Sequence, residues 1–383
     1  MEISLFQNSP SGRLIHATDG YWAFSPNPLP PKLEWDNPLV SLISQADLAL
    51  GTLSGLGKTL PNPHLLIYPF IRREAVLSSR IEGTLSSLSD LLLFEATRVE
   101  KQRDVKEVQN YVRVVEYGLK CLDELPLSLR LICELHSILT EGVRGAHATP
   151  GEFRQSQVWI GPPGCSLTEA TFVPPPPSEM QDALAQLDEF LHTDTDLPPL
   201  VQLALIHYQF ETIHPFLDGN GRMGRLLITL FLCQRGILTK PLLYLSAFFE
   251  HHRQEYYDHL LKVSQQGAWR QWIEFFLHGV TEQSSDAVLR AGHLLDLHQN
   301  YQQTRLRKHL PPTAGQLIEL IFMRPILNVK SAQESLGVTF PAAQKAIQIL
   351  EEEGILAEIT GGKRNKAYAA TKILKILERD IPS

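Results

Sequence analysis

Cysteine is scarce here: Cys121, Cys133, Cys165 and Cys233 are the only four in 383 residues, and no CxxC pair occurs. Such scatter excludes a disulfide framework and a thiolate zinc cluster, and it suits a reducing compartment. Long apolar runs are lacking as well. The run Leu226–Cys233 stops at Gln234-Arg235, well short of the ~20 apolar residues that a membrane span needs. The opening MEISLFQNSPSGRL lacks the basic-then-apolar build of a signal peptide. Positive charge is in deficit, with 35 Lys and Arg against 42 Asp and Glu, so any nucleic-acid surface must be local. The remainder, 43% hydrophobic and 20% charged residues, is globular and argues against wholesale disorder. A soluble cytoplasmic protein is expected, with two or three domains at ~100–200 residues each.

Turn formers come first. The stretch from Tyr21 to Pro31, rich in proline, reads as an extended strap. Helical spacing begins near Pro38 with Leu39, Leu42, Ile43, Ala46 and Leu50, and Pro61-Asn62-Pro63 breaks it. Helix is expected again from Phe70 toward Glu82-Gly83, within Leu88–Glu116, and over Leu129–Leu139. Gly142 to Pro177 changes character. Gln157–Ile160 and Ala170–Val173 read as the strands of an irregular hairpin, whose long tip suits a functional loop. Helices are expected over 178–192, 200–213, 222–234, 253–262, 268–280 and 284–307, until Pro311-Pro312 ends the series. Beyond lie helices at 314–322, 331–336 and 341–353, with Ser331 and Glu334 as a capping box. Leu356–Ile359, Gly361-Gly362 and Ala367–Ala370 form a hairpin, so the end of the chain reads as helix–turn–helix plus wing.

The densest chemistry lies between His214 and Arg225, in HPFLDGNGRMGR. Asp218-Gly219-Asn220-Gly221 favours a turn, and helix resumes near Arg222. A glycine-rich turn at a helix N-terminus aims backbone N–H groups at one spot, which makes an anion site. Arg222 and Arg225, three residues apart, share a helical face and can fork toward phosphate oxygens. Asp218 offers a hard oxygen to Mg²⁺, an ion that usually bridges phosphates. His214 is the motif's titratable base and can take a proton from an attacking hydroxyl. Together these groups point to nucleotidyl or phosphoryl transfer.

This stretch resembles the signature of the Fic family, HxFx(D/E)GNGRxxR, and matches it at every fixed position. The resemblance implies transfer of AMP from ATP to a Ser, Thr or Tyr hydroxyl of a target protein, or of the protein itself, with pyrophosphate leaving. It makes His214 the general base, anchors the loop through Phe216, and assigns Mg²⁺ to Asp218. It gives the phosphates to Gly219, Asn220 and Gly221, the phosphate tail to Arg222 and Arg225, and includes Met223 and Gly224 in the nucleotide site. Ser78-Ser-Arg-Ile-Glu82-Gly83 fits the family's inhibitory motif (S/T)xxxE(G/N). In that reading Glu82 pairs with Arg225 and denies it to the γ-phosphate. The hairpin resembles the family's flap, with Val158, Trp159, Ile160 and Gly161 registering the target segment by strand addition. Tyr256 falls where relatives often wall an adenine pocket.

The implied fold is mainly α-helical: a Fic-type helical core with a β-hairpin flap, followed by a C-terminal winged helix. The expected segments are 1–95 with the inhibitory helix, 96–290 as catalytic core, 291–312 as connector and 313–383 as winged helix. On the wing, Lys330, Lys345, Lys363, Arg364 and Lys366 can face phosphates, whereas Glu351–Glu353 ends the recognition helix with negative charge. DNA binding and protein contact or homodimer assembly therefore both stay open. So do a phosphotransferase, a de-AMPylase using Glu82, and a nucleotide-sensing regulator. Ser54–Thr59 fails as a phosphate loop, since Thr52 stands where glycine is needed. His251-His252 has no third metal ligand at a telling spacing.

Overall fold

The computed structural model describes residues 1–60, 62–98, 104–143, 149–361 and 366–378, and helices dominate it. Pro61, Gly362, Lys363 and Arg364, singled out above, lie outside the described residues. The chain opens with strands β1 (Gly12–His16) and β2 (Trp22–Pro26). Helices follow: α1 (Asn37–Thr59), α2 (His64–Ile81), α3 (Leu88–Thr97), α4 (Val105–Cys121) and α5 (Leu129–Leu139). After the irregular flap come α6 (Pro177–His192), α7 (Pro199–Ile213), α8 (Asn220–Gln234), α9 (Ser246–His251), α10 (Arg253–Gln266) and α11 (Trp269–Arg307). The C-terminal order is α12 (Pro312–Met323), β3 (Ile326–Asn328), α13 (Val329–Leu336), α14 (Phe340–Glu352), β4 (Ala357–Glu358), β5 (Ala367–Ala369) and α15 (Thr371–Glu378).

Backbone contacts divide the chain into two compact units that interleave in sequence. One holds Met1–Gly51, Arg113–Leu238 and Tyr244–Gln283; the other holds Thr52–Val112, Thr239–Leu243 and Ser284–Ser383. Each therefore draws on more than one of the segments expected from the sequence.

In the first unit α7 packs against α6 and α8. Nearly every α7 residue is buried, including Gln202, His207 and Gln209, so it is a central helix rather than an amphipathic one. Part of the expected strap, Trp22–Pro26, is the strand β2 of an antiparallel hairpin with β1, in which Leu14 stands opposite Phe24. Phe24 N–H donates to the Val173 carbonyl at 2.9 Å, and Phe6, Phe24 and Phe172 cluster together. The flap is correspondingly less regular than expected. Its two segments meet at a single bridge, Ile160 with Phe172. Prolines 162, 163 and 174–177 leave few N–H groups for a longer ladder.

In the second unit α2 packs against α12 and α15, and α3 against β3 and β5. Arg290, 2% exposed, donates to Asp286 Oδ2 at 2.6 Å and to the Ile376 carbonyl at 2.5 Å. Asp286 also faces Arg73 of α2 at 3.8 Å. The C-terminal sheet has the order β3-β5-β4, both pairs antiparallel. The expected helix–turn–helix and hairpin are thus joined by β3, too short to read from alternation.

Other expectations need correction. The helices expected over 268–280 and 284–307 are one, α11, because Thr281–Ser285 carries no breaker. The helix after β3 starts at Val329 and not at Ser331. Asn328 Oδ1 accepts from Ser331 N at 2.7 Å and Ser331 Oγ accepts from Asn328 N at 2.9 Å, so Ser331 is the third residue of the capping box. Among the described helices α1 alone is long and apolar enough to cross a membrane by length and composition. Its apolar residues alternate with Ser, Gly and Gln, which hides this from a search for unbroken runs. Leu39, Ile43, Ala46, Leu50 and Leu53 on α1 are buried.

Asn328 has a second duty, since its Nδ2 donates to the Ala96 carbonyl at the end of α3 at 2.8 Å. Asn328→Ala should therefore destabilise the second unit by about 1–3 kcal/mol, a cap plus a hydrogen bond. Ser331→Ala should cost less, because it leaves the Ala96 bond intact. Urea titrations of both variants check the order; equal midpoints would contradict it.

Candidate active site

His214 ends α7 in the left-handed conformation, at φ 52° and ψ 62°. A β-carbon makes this region costly, by roughly 1–3 kcal/mol, so the surroundings must enforce it. His214 Nδ1 lies 3.3 Å from the Glu211 carbonyl, which can only accept, so Nδ1 holds the proton. In the neutral ring the lone pair then sits on Nε2.

The loop from His214 to Gly219 is closed by one side chain. Asn220 Oδ1 accepts from Phe216 N–H at 2.8 Å, and its Nδ2 donates to the Phe216 carbonyl, also at 2.8 Å. Asn220 is 2% exposed. Its carboxamide is consumed in this clasp, so its contribution to any phosphate cradle is its backbone N–H alone. Gly219 supplies the turn at φ 79°, and Met223 N–H bonds back to its carbonyl at 3.0 Å. The first-turn amides of α8 thus point past the helix end, the geometry of an anion site.

Phe216 is fully buried and stacks on His136 of α5, with ring centroids 3.7 Å apart. His136 Nδ1 accepts from Gly151 N–H at 3.0 Å, so its proton is on Nε2, which donates to the Asp218 carbonyl at 3.0 Å. Burial pulls its pKa down to about 4. Asp218 itself is half-exposed; its Oδ1 accepts from Gly219 N–H at 2.6 Å and faces Arg222 Nη2 at 3.8 Å. Among the described residues no group of three His, Cys, Asp or Glu is placed to hold a metal. A lone carboxylate beside an anion site still fits Mg²⁺ that arrives with substrate phosphates, since this ion keeps several waters and usually takes one or two carboxylates.

Arg222 and Arg225 are both 3% exposed and carry their guanidinium groups within the first turns of α8. Gly221 sits between the clasp and Arg222. Met223 and Gly224, assigned to the nucleotide site by resemblance, are closely packed. Met223 is fully buried, and a β-carbon on Gly224 would lie 2.2 Å from Glu211 Oε1. Tyr256 is likewise a core residue, 1% exposed, rather than an open wall. His207 Nδ1 donates to the Gly224 carbonyl at 3.1 Å, so its Nε2 accepts from Tyr256 Oη at 2.8 Å. Tyr257 beside it is 39% exposed.

The flap presents Trp159 and Ile160, 41% and 38% exposed, with Val158 half-buried and Gly161 exposed. Trp159 Nε1 donates to the Cys165 carbonyl at 2.9 Å, and a β-carbon on Gly161 would meet Cys165 Sγ. Tyr21 reaches across from the N-terminal hairpin to Gln157 Oε1 at 3.0 Å. Ser78 and Glu82 belong to the second unit. Ser78 is buried in the last turn of α2, Glu82 caps that helix, and Gly83 turns the chain at φ 95°. His136, His207 and Arg154 escaped the sequence reading. A single histidine or arginine inside an apolar helix or a loop carries no pattern of its own.

Residues 40–120 match the Fic/DOC family N-terminal profile and residues 126–232 the Fic/DOC family profile. The protein adenylyltransferase Fic of Drosophila willistoni is 27% identical over 221 residues, 55% of this chain and 40% of that protein. That of Drosophila grimshawi is 28% identical over 221 residues, 55% of this chain and 41% of that protein. The chain thus spans about two fifths of the length of the curated relatives it matches. In fold it is similar to a Fic family protein from Desulfovibrio desulfuricans, with TM-score 0.58, 20% identity, and coverage of 89% of this chain and 98% of that one. A Fic domain containing signaling protein from Bacteroides thetaiotaomicron gives TM-score 0.51 and 19% identity, over 64% of this chain and 95% of that one.

The buried neutral His136 makes a pH prediction. Above its ordinary pKa near 6.5 it is neutral both folded and unfolded, so it adds no pH dependence there. Below that, the unfolded chain binds the proton first, and stability falls as pH drops from 6.5 toward about 4. The loss attributable to this residue is on the order of 3 kcal/mol. His136→Gln should flatten that limb when urea stability is measured between pH 7.5 and 4.5. Parallel curves for variant and wild type would contradict it.

Proposed function

Because the chain belongs to the Fic/DOC family, we propose that it transfers AMP from ATP to a Ser, Thr or Tyr hydroxyl of a target protein or of itself. The observation that carries this reading is the clasped loop, which sets a base-bearing His214 next to a helix N-terminus. His214 Nε2 takes the hydroxyl proton, the oxygen attacks the α-phosphorus in line, and the bond to the β-phosphate oxygen breaks to release pyrophosphate. The first-turn amides of α8 face the charge that builds on the phosphates, and Arg222 and Arg225 hold the phosphate tail. Asp218 would hold Mg²⁺ arriving with the substrate phosphates, and the ion would supply further neutralisation of that charge.

Glu82 is the proposed brake, pairing with Arg225 and denying it to the γ-phosphate. Support comes from the Ser78–Gly83 pattern and its place at the end of α2. The order α12–β3–α13–α14–β4–β5 supports the winged-helix reading. The exposed face of α14 carries Gln344, Lys345 and Gln348 but runs into Glu351-Glu352, which favours protein contact over DNA.

Incorporation of α-labelled ATP tests the reading. His214→Ala should lower transfer by about 10²–10⁴-fold with ATP binding retained. Labelling at the wild-type rate would remove His214 from the mechanism, and γ-label retained in place of α-label would mark a phosphotransferase.

Glu82→Gly should raise transfer by one or two orders of magnitude, which needs only ~1.4–2.8 kcal/mol of differential binding. Arg225→Ala on top of it should cancel the gain. No gain in a folded Glu82→Gly protein would remove the brake, and a loss would favour a de-AMPylase.

A further inference from the structure

Arg154 is the most deeply buried charged side chain near the site, fully inaccessible to solvent. Among the described residues no carboxylate accepts from it. Its hydrogen bonds run to backbone carbonyls: Nε to His214 at 2.9 Å, Nη2 to Pro175 at 2.5 Å and Ile213 at 3.4 Å, and Nη1 to Ser156 at 3.2 Å. Its own N–H adds a fifth bond, to the Pro215 carbonyl at 2.9 Å. One residue therefore grips the carbonyls of Ile213, His214 and Pro215 in succession.

Three successive carbonyls converge only because His214 reverses the chain at φ 52°. A helix ending in this way ordinarily places glycine at the reversal. A base is required at that position here, so the left-handed backbone has to be enforced from outside. A guanidinium suits the task, with five N–H donors in a rigid planar fork that lysine's ammonium cannot reproduce. The charge is costly to bury, and desolvation pulls its pKa down to about 10.

The remaining acceptors lie in the flap. Ser156 stands just before Gln157, on the way into it, and Pro175 follows Val173 on the way out. We infer that Arg154 is the positioning residue of the reaction: it holds His214 in its reversed conformation and ties that conformation to the base of the flap. The lone pair that receives the proton and the strand that receives the target are then registered by one side chain. The inference rests on the proposed AMP transfer for its kinetic consequence, but not for its structural one.

Two measurements on Arg154→Lys test it. The first is amide hydrogen exchange, where Ile213 and His214 and the flap residues 157–161 and 171–173 should lose protection together. The second is kinetic: kcat should fall about 100-fold, as expected for a base displaced by roughly an ångström. KM for the target should rise, while affinity for ATP with Mg²⁺ stays within about twofold, because the α8 N-terminus is not among the groups Arg154 holds. Arg154→Gln, uncharged and shorter, with its amide falling near the position of Nε, repeats both measurements if the ammonium unfolds the protein. Exchange that quickens in only one segment overturns the inference, as does ATP affinity falling in step with kcat. A wild type that transfers AMP no faster than a folded Arg154→Lys defeats this inference alone. A wild type that transfers none defeats the proposed function, and the exchange data still decide the role of Arg154.

Discussion

One carboxamide holds the site together. Asn220 satisfies both backbone groups of Phe216, an acceptor for its N–H and a donor for its C=O, where both residues are buried from bulk solvent. No other side chain of that length carries both functions: aspartate lacks the donor and leucine lacks both. Leaving one of those backbone groups unsatisfied while buried costs about 1–3 kcal/mol. With the clasp closed, the Phe216 ring is set against His136, the Asp218 carbonyl meets His136 Nε2, and α8 begins at Asn220. The separation between base and anion site follows from that closure.

The rest of the support works by the same means, buried polar side chains spent on backbone carbonyls. His136 takes the Asp218 carbonyl, His207 that of Gly224, and Arg154 those of Ile213 and His214. Both histidines are kept neutral by burial, with pKa values pulled down to about 4 and about 3. A neutral ring can donate from one nitrogen and accept at the other, and each does so here. Protonated, either would lose its acceptor and face an N–H donor or a hydroxyl with its second proton. The site is therefore built for neutral pH through its scaffold, independently of the base that it presents.

What could be read from the sequence was whatever has a repeating or local signal. The helix expected over Leu129–Leu139 is α5, and the glycine-rich stretch marked the turn before α8, although that helix starts at Asn220 rather than near Arg222 and takes Gly221 into its first turn. The N-terminal hairpin was missed although Asp19-Gly20 is a turn dipeptide between Ile15 and Trp22, because the prolines that follow suggested a strap. The flap was over-read for the opposite reason: β-branched and aromatic residues promised two strands, and proline allowed one bridge. Tyr256 looked like a pocket wall by position, yet a hydroxyl bonded to a buried histidine places it in the core. His136 and Arg154 had no sequence signal, because their partners are carbonyls, which every residue possesses.

The central claim is that the Asn220 clasp creates both the base position and the anion site. Asn220→Asp is the most direct probe, since it is isosteric, keeps the acceptor for Phe216 N–H and sets an oxygen against the Phe216 carbonyl. Titration of ATP with Mg²⁺ into the variant by calorimetry, with the fold checked by its thermal transition, should show affinity lost by about tenfold or more, the equivalent of ~1.4 kcal/mol. A folded Asn220→Asp protein that binds ATP as tightly as wild type would contradict the account.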